Sequence, residues 1–162
     1  VSANERESAQ AYFRLILLTV VGQAFSAAGY ALEDDSLQQA SGLFRFRRPL
    51  DDGLAGFIEF QLLATTETEH APVQPSRFRV TLTRTDQAGP AQPSLHPRYA
   101  RRDLAALVVD DYGVAILPGA NHWWRYREVS ELGRALAEAG HLVVGFGIPW
   151  LSGELPAPQH DD

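Results

Sequence analysis

The residues best suited to chemistry are five histidines, three acidic doublets and an all-arginine set of cations. His70, His96, His122, His141 and His160 invite a metal or an acid–base role. No two of them stand at helical i, i+4 spacing and there is no His-Glu-x-x-His, so a zinc site would have to be assembled from remote loops. His122 is the most interesting of the five. It adjoins Trp123 and Trp124 and follows a turn bearing Asp110 and Asp111, either of which would move its pKa. One reading makes it the centre of a loop site in a small hydrolase-like enzyme. The other makes it a structural hydrogen-bonder or a solvent-facing ring. The doublets Asp34-Asp35, Asp51-Asp52 and Asp110-Asp111 suit turns and loop ends. Neighbours on a strand face opposite ways, so no doublet forms a carboxylate dyad by itself. No Gly-x-Ser-x-Gly elbow occurs, and Gly145-Phe146-Gly147 lacks the third glycine of a dinucleotide loop. These motifs assign no catalytic residue, metal or cofactor.

Absent letters exclude more. Among the 162 residues there is no Cys, no Met and no Lys, all 14 basic side chains being Arg. Thiolate nucleophiles, thiolate metal sites and disulfides are therefore excluded, as are the Walker A lysine, a Schiff-base lysine and the Ser-x-x-Lys motif. Twenty acids against the arginines give a net charge of −6, which repels DNA and anionic lipid at long range. The run from Leu15 to Val21 is far shorter than a membrane span. Small residues after it would suit signal cleavage, but Glu5 and Glu7 deny the preceding segment a positive bias. A cytoplasmic protein is expected.

The elements that must position these residues follow from periodicity. Asn4 to Glu7 has capping-box spacing and predicts a helix over Glu5 to Ala28, closed at Gly29. Apolar residues cover nearly its whole circumference from Tyr12 to Val21, so it is expected to be buried on several sides, by the sheet and by the C-terminal helix or a second copy of the chain. From Leu43 the period is two. Phe44 and Phe46 alternate with Arg45 and Arg47, Asp51-Asp52-Gly53 makes a turn, and a second strand runs from Ala55 to Leu63. A third strand follows the loop holding Pro72 and Pro75, with Phe78, Val80 and Leu82 on one face and Arg77, Arg79, Thr81 and Thr83 on the other. Short connections favour an antiparallel meander docked on the first helix. Ala88 to Pro97 reads as a loop. Asp103 to Val109 fits a strand or a short helix opened by Asp103, and we assign a strand. Val114 to Leu117 is assigned as the last strand, and a helix capped by Ser130 follows, with Leu132, Ala135, Leu136 and Ala139 on one face and Gly140 ending or interrupting it. The chain is thus read as one α+β domain over residues 1–153, with an antiparallel sheet of four to five strands packed against an N-terminal and a C-terminal helix. A fraying tail over 154–162 completes it.

The second face of this sheet carries the functional expectation. Arg45, Arg47, Glu59, Arg77 and Arg79 fall together there, a patch richer in Arg than in acid on an acidic chain. It is either a solvated face of cross-strand ion pairs or a surface for an acidic polypeptide, whose carboxylates guanidinium groups bind bidentately. Single-stranded RNA and phosphate are disfavoured, because the aromatics alternate onto the opposite face from the arginines. In Trp123-Trp124, one ring can enter the core while its neighbour meets solvent or a partner, or both can be buried. The expected function is non-enzymatic: an adaptor or immunity-like domain binding another polypeptide through Arg45, Arg47, Glu59, Arg77, Arg79, Trp123 and Trp124, or binding itself as a homodimer through the first helix. Neither DNA nor a membrane is an expected partner.

A resemblance accompanies these features. The hydrophobic helix before Gly29-Tyr30 is followed by Phe44-Arg45-Phe46-Arg47-Arg48, Phe57-Ile58-Glu59-Phe60-Gln61 and Phe78-Arg79-Val80. Then come His122-Trp123-Trp124 and a helix leading to Gly147-Ile148-Pro149-Trp150-Leu151. In this order, over roughly residues 12 to 152, the chain resembles the bacterial family catalogued as domain of unknown function 4304. The resemblance implies helices packed on an antiparallel sheet and no established activity, so it carries over no catalytic residue. The Pro-rich loop from Ala88 to Pro97 and the missing lysines depart from that pattern. By architecture and acidity alone the chain is also similar to small dimeric secretion chaperones.

Overall fold

A computed structural model describes residues 3–65 and 74–155. The first helix, α1 (Ala3–Ala27), places Phe13, Leu17, Val21 and Phe25 at i, i+4 intervals along one stripe, and all four are buried. It begins two residues before the expected start. Asn4 thus lies inside the helix, and its side chain falls outside the described residues. The chain leaves α1 through Gly29 at φ 90°, while the Tyr30 amide donates back to the Phe25 carbonyl at 2.9 Å. Burial is confined to the stripe and its flanks. Leu15 is 60 % exposed and Val20 is also exposed, so α1 is not surrounded as its apolar circumference suggested.

The sheet is antiparallel throughout. It comprises β1 (Ala31–Leu32), β2 (Leu43–Pro49), β3 (Ala55–Leu63), β4 (Ser76–Thr85) and β5 (Ala100–Asp103) in spatial order, with β6 (Trp124–Tyr126) also paired to β4. A short helix, α2 (Ser36–Ala40), sits between β1 and β2 and is capped by the Asp35 carboxylate, which accepts from the Gln38 amide at 3.0 Å. The β2–β3 hairpin closes at Asp51-Asp52-Gly53, where Asp52 and Gly53 take φ of 56° and 70°, the left-handed values that tight hairpin turns require. Register pairs Phe44 with Phe60, Phe46 with Ile58, Phe60 with Val80 and Leu62 with Phe78, so the predicted apolar residues share one face. That inner face packs on α1. The Phe13 ring lies 5.1 Å from Phe44 and 5.4 Å from Phe78, and each buried aromatic contributes about 2–3 kcal/mol through the area it withdraws from water.

The C-terminal half departs from the sequence reading in three places. β5 stops at Asp103, and the following residues are helical: α3 (Leu104–Ala106) runs on through a π-helical segment, Leu107–Asp111. The strand assigned to Asp103 to Val109 is therefore wrong. Leu104 to Val108 are all buried, and a run buried on every side shows no period by which helix and strand differ. Val114 to Leu117 form turns instead of a strand, and the last strand is β6, within what reads as a loop. The helix α4 (Val129–Leu142) begins two residues earlier than a Ser130 cap implies, with Glu128 at its N-cap. Gly140 neither ends nor interrupts it. An added Cβ there would sit 2.6 Å from Val21 Cγ1, so this glycine sets how closely α4 approaches α1.

Beyond α4 the chain stays helical through a π-helical segment, Val143–Gly147, and α5 (Ile148–Ser152), which ends at Gly153 with φ 79°. The Arg84 guanidinium donates to the carbonyls of Arg98, Trp150 and Leu151, tying the end of α5 to β4. Leu155 is tied to the same region, its carbonyl accepting from the Tyr112 hydroxyl at 2.6 Å. The rest of the expected tail, residues 156–162, lies outside the described residues. No helix among the described residues is long and apolar enough to cross a membrane.

Candidate partner-binding face

The opposite, outer face of the sheet divides into two ends of different character. At the β2 end, register sets Arg45 directly against Glu59. Arg45 Nε and Nη2 lie 3.2 and 3.1 Å from the same carboxylate oxygen, Glu59 Oε2, and Nη1 lies 3.5 Å from Glu33 Oε2. Glu59 is only 6 % exposed, so this is a cross-strand ion pair largely removed from water, with the guanidinium also 5.7 Å from the Phe57 ring centre. Arg45 and Glu59 are thereby committed to each other. Arg47 is exposed two positions further along β2, opposite Phe57.

At the β4–β6 end the cations are unpaired. Arg77 and Arg79, two positions apart on β4, share that face, and both guanidiniums lie against the Trp123 ring at 4.7 and 5.1 Å from its centre. Register places Arg125 of β6 opposite Arg77. All three arginines are exposed and Trp123 is half-buried. Among the described residues no carboxylate pairs with Arg77, Arg79 or Arg125. Like charges directly opposite on a sheet repel, so this end of the face carries an electrostatic cost that an incoming anion relieves. Arg125 is absent from the sequence reading because its segment reads as loop. The alternation of Trp124 and Tyr126 with Arg125 was the available signal.

The doublet resolves into one ring on each face. Trp124 is 4 % exposed and stacks on Phe78 at 5.6 Å with an interplanar angle of 12°, so it belongs to the core while Trp123 belongs to the outer face. A recess lies between the two ends of the face, where Glu59, Thr81, Arg79 and Arg101 converge beneath Ala91. Ala91 belongs to the Pro-rich connection between β4 and β5, which folds back over the sheet: Pro90 is buried and its carbonyl accepts from Arg101 Nη1 at 3.1 Å. The face is therefore roofed in part and open at the Trp123 end.

His122 sits on the other side of this geometry. Its ring meets Trp124 edge-on at 4.7 Å, in an open depression that also touches Arg125 and Glu138. Burial holds its pKa below the ordinary histidine value, Glu138 opposes that shift and Arg125 adds to it, so its surroundings favour the uncharged ring. Of the two carboxylates expected near it, Asp111 accepts from Arg102 at 2.9 and 2.8 Å, and neither Asp110 nor Asp111 lines the depression that holds His122. Of the other histidines, His96 Nε2 lies 3.1 Å from Asp52 Oδ2 and His141 lines an apolar groove between α1 and α4, whereas His70 and His160 lie outside the described residues. No group of three His, Asp or Glu among the described residues could hold a metal ion.

No family model, curated protein or solved structure matches the chain. Its function must accordingly be argued from the outer face itself. The groove between α1 and α4 is lined by Val20, Ala24, Ala137 and Val144.

Proposed function

We propose that this protein is a non-enzymatic binding domain whose outer sheet face captures an acidic segment of another polypeptide. The observation that carries the reading is the pair Arg77 and Arg79 against the half-buried Trp123, with Arg125 opposite Arg77, three cations with no ion pair to a carboxylate among the described residues. Guanidiniums stacked on an indole are pre-oriented and weakly hydrated, so they lose little entropy or hydration on meeting a partner carboxylate. Arg and Trp are also the residue types that dominate binding hot spots. The likeness to domain of unknown function 4304 stands beside this proposal and contributes no activity to it.

Arg45 and Glu59 leave the contact set as direct contacts and act as the strut that holds β2 to β3 beneath it. The test is recovery of partners from the source cell with the wild-type chain and with Arg77→Glu/Arg79→Glu, the fold being checked by circular dichroism. A partner bearing an acidic segment, retained by wild type, lost by the variant and weakened by salt, supports the reading. Equal recovery by both chains overturns it.

A further inference from the structure

We propose that the recess beneath Ala91 is a receptor for a single carboxylate, filled by one acidic side chain of the bound partner. The inference rests on the partner-binding reading and goes beyond it by naming the group that is received and the residues that receive it.

Size comes first. The recess holds about 200 Å³, below the roughly 300–1,000 Å³ of pockets for drug-sized ligands, and so suits one side-chain head group. The supply of donors comes second. Gln61 Nε2 is spent on the Ser41 and Leu62 carbonyls, and the Thr81 hydroxyl donates to Asp103 Oδ1 at 3.2 Å. Arg45 is committed to Glu59 and Glu33. What remains is the Arg79 guanidinium, with no hydrogen bond among the described residues, and Arg101, which uses only Nη1, on the Pro90 carbonyl. The free donors of the recess are thus guanidinium N–H groups, whose forked geometry matches a planar carboxylate.

Both donors are held in place before any ligand arrives. Trp123 lies against Arg79, and the buried Pro90 fixes Arg101, so binding orders few rotamers. Glu59 lies in the wall of the recess with its charge answered by Arg45, so an incoming group meets the two guanidiniums of Arg79 and Arg101, whose planar forks match the two oxygens of one carboxylate.

The test is titration of the 15N-labelled full chain with sodium acetate, with inorganic phosphate at equal ionic strength, and with the blocked peptide acetyl-Glu-Glu-Glu-Glu-amide. The expected result is saturable movement of the Gln61, Thr81 and Ala91 amides by acetate and by the peptide. Arg79→Ala should weaken it about tenfold, and Arg134→Ala, which removes an exposed cation of α4 outside the recess, should leave the acetate response unchanged. Arg101→Ala is read only if remote amides keep their wild-type shifts, and Arg79→Ala, which breaks no hydrogen bond, supplies the same test without that condition. No saturable acetate response at these amides, or phosphate binding more tightly than acetate, overturns the proposal. Peptide binding that moves only the Arg77, Trp123 and Arg125 amides also overturns it while leaving the partner reading intact. Acetate binding in the recess with no peptide binding anywhere on the face refutes the partner reading and with it the polypeptide source of the carboxylate.

Discussion

Replacing Gly56 by Ala and Tyr30 by Phe, singly and together, tests whether the close approach of helix exit and sheet is as described. Tyr30 is 2 % exposed and its hydroxyl has no hydrogen-bond partner among the described residues. Burial pushes its pKa up to about 12, against a smaller opposing pull from Arg48. A Cβ on Gly56, the second residue of β3, would fall inside contact distance of that hydroxyl oxygen and 3.2 and 3.3 Å from ring atoms Cζ and Cε1. The ring is enclosed and cannot swing away, so Gly56→Ala should cost about 1–3 kcal/mol, the usual range for overpacking. Tyr30→Phe removes a buried polar atom that gains nothing from its surroundings, and should be neutral or stabilise by about 1 kcal/mol. In the Phe background only the ring carbons remain, and a shift of a few tenths of an ångström accommodates the methyl. The double variant should then lie about 1–2 kcal/mol above the sum of the singles. Urea unfolding measures each value, and for a chain of this size each kcal/mol moves the melting temperature by roughly 2–4 °C. Additivity within about 0.3 kcal/mol, or a Tyr30→Phe variant that is less stable than wild type by more than about 1 kcal/mol, refutes the reasoning.

Alkali should unfold the chain through its tyrosines. Tyr30 and Tyr126 are both raised by burial from 10.0 to about 12, so their stabilising effect is complete below pH 10 and is lost as pH rises towards 12, by about 2–3 kcal/mol each. Urea midpoints between pH 8 and 11.5 should fall in wild type and stay flatter in Tyr30→Phe/Tyr126→Phe. Arg45→Ala strands the buried Glu59 carboxylate and should cost about 3 kcal/mol, most of it recovered when Glu59→Leu is added, as chemical denaturation will show. Gly140→Ala gains about 1 kcal/mol of helix propensity but forces a methyl against Val21, so a net loss of melting temperature is expected, smaller in a Val21→Ala background. Trp123→Ala should leave stability within about 1 kcal/mol of wild type while abolishing partner capture, because that ring supports the arginines and not the core.

The meander over β2 to β4 was legible because its residues alternate in type as a half-buried strand must, and one shift of register would have exposed Phe44, Phe60 and Phe78 together. The same rule fails where a segment is buried all round. Leu104 to Val108 gave no period to read, and the chain turns helical at Asp103, which ends β5 and stands at the N-cap of α3. At the candidate site the arginines of β4 were found, but their environment was not. Which guanidinium is neutralised depends on the partner that register brings opposite, and Arg45 meets Glu59 where Arg77 meets Arg125. A charge reversal at Arg45, attractive from composition, would therefore set two carboxylates together under the sheet and report on stability instead of binding. The recess was invisible for a related reason: the prolines of residues 88–97 exclude regular structure without saying over which face the loop returns.

β4 takes both of its later neighbours along one edge, β5 against Thr81 to Arg84 and β6 against Ser76 to Phe78. The β2–β3 hairpin closes over a short stretch of chain, whereas docking of β6, the last step in chain order, requires closure across roughly 50 residues and carries the larger entropic cost. Only that last step sets Arg125 beside Arg77 and brings Trp123 under the guanidiniums. The cationic surface is thus a property of the completed chain, absent while the sheet is still assembling. An acidic partner that needs all of these groups would reject nascent and partly unfolded copies without any separate device to recognise them.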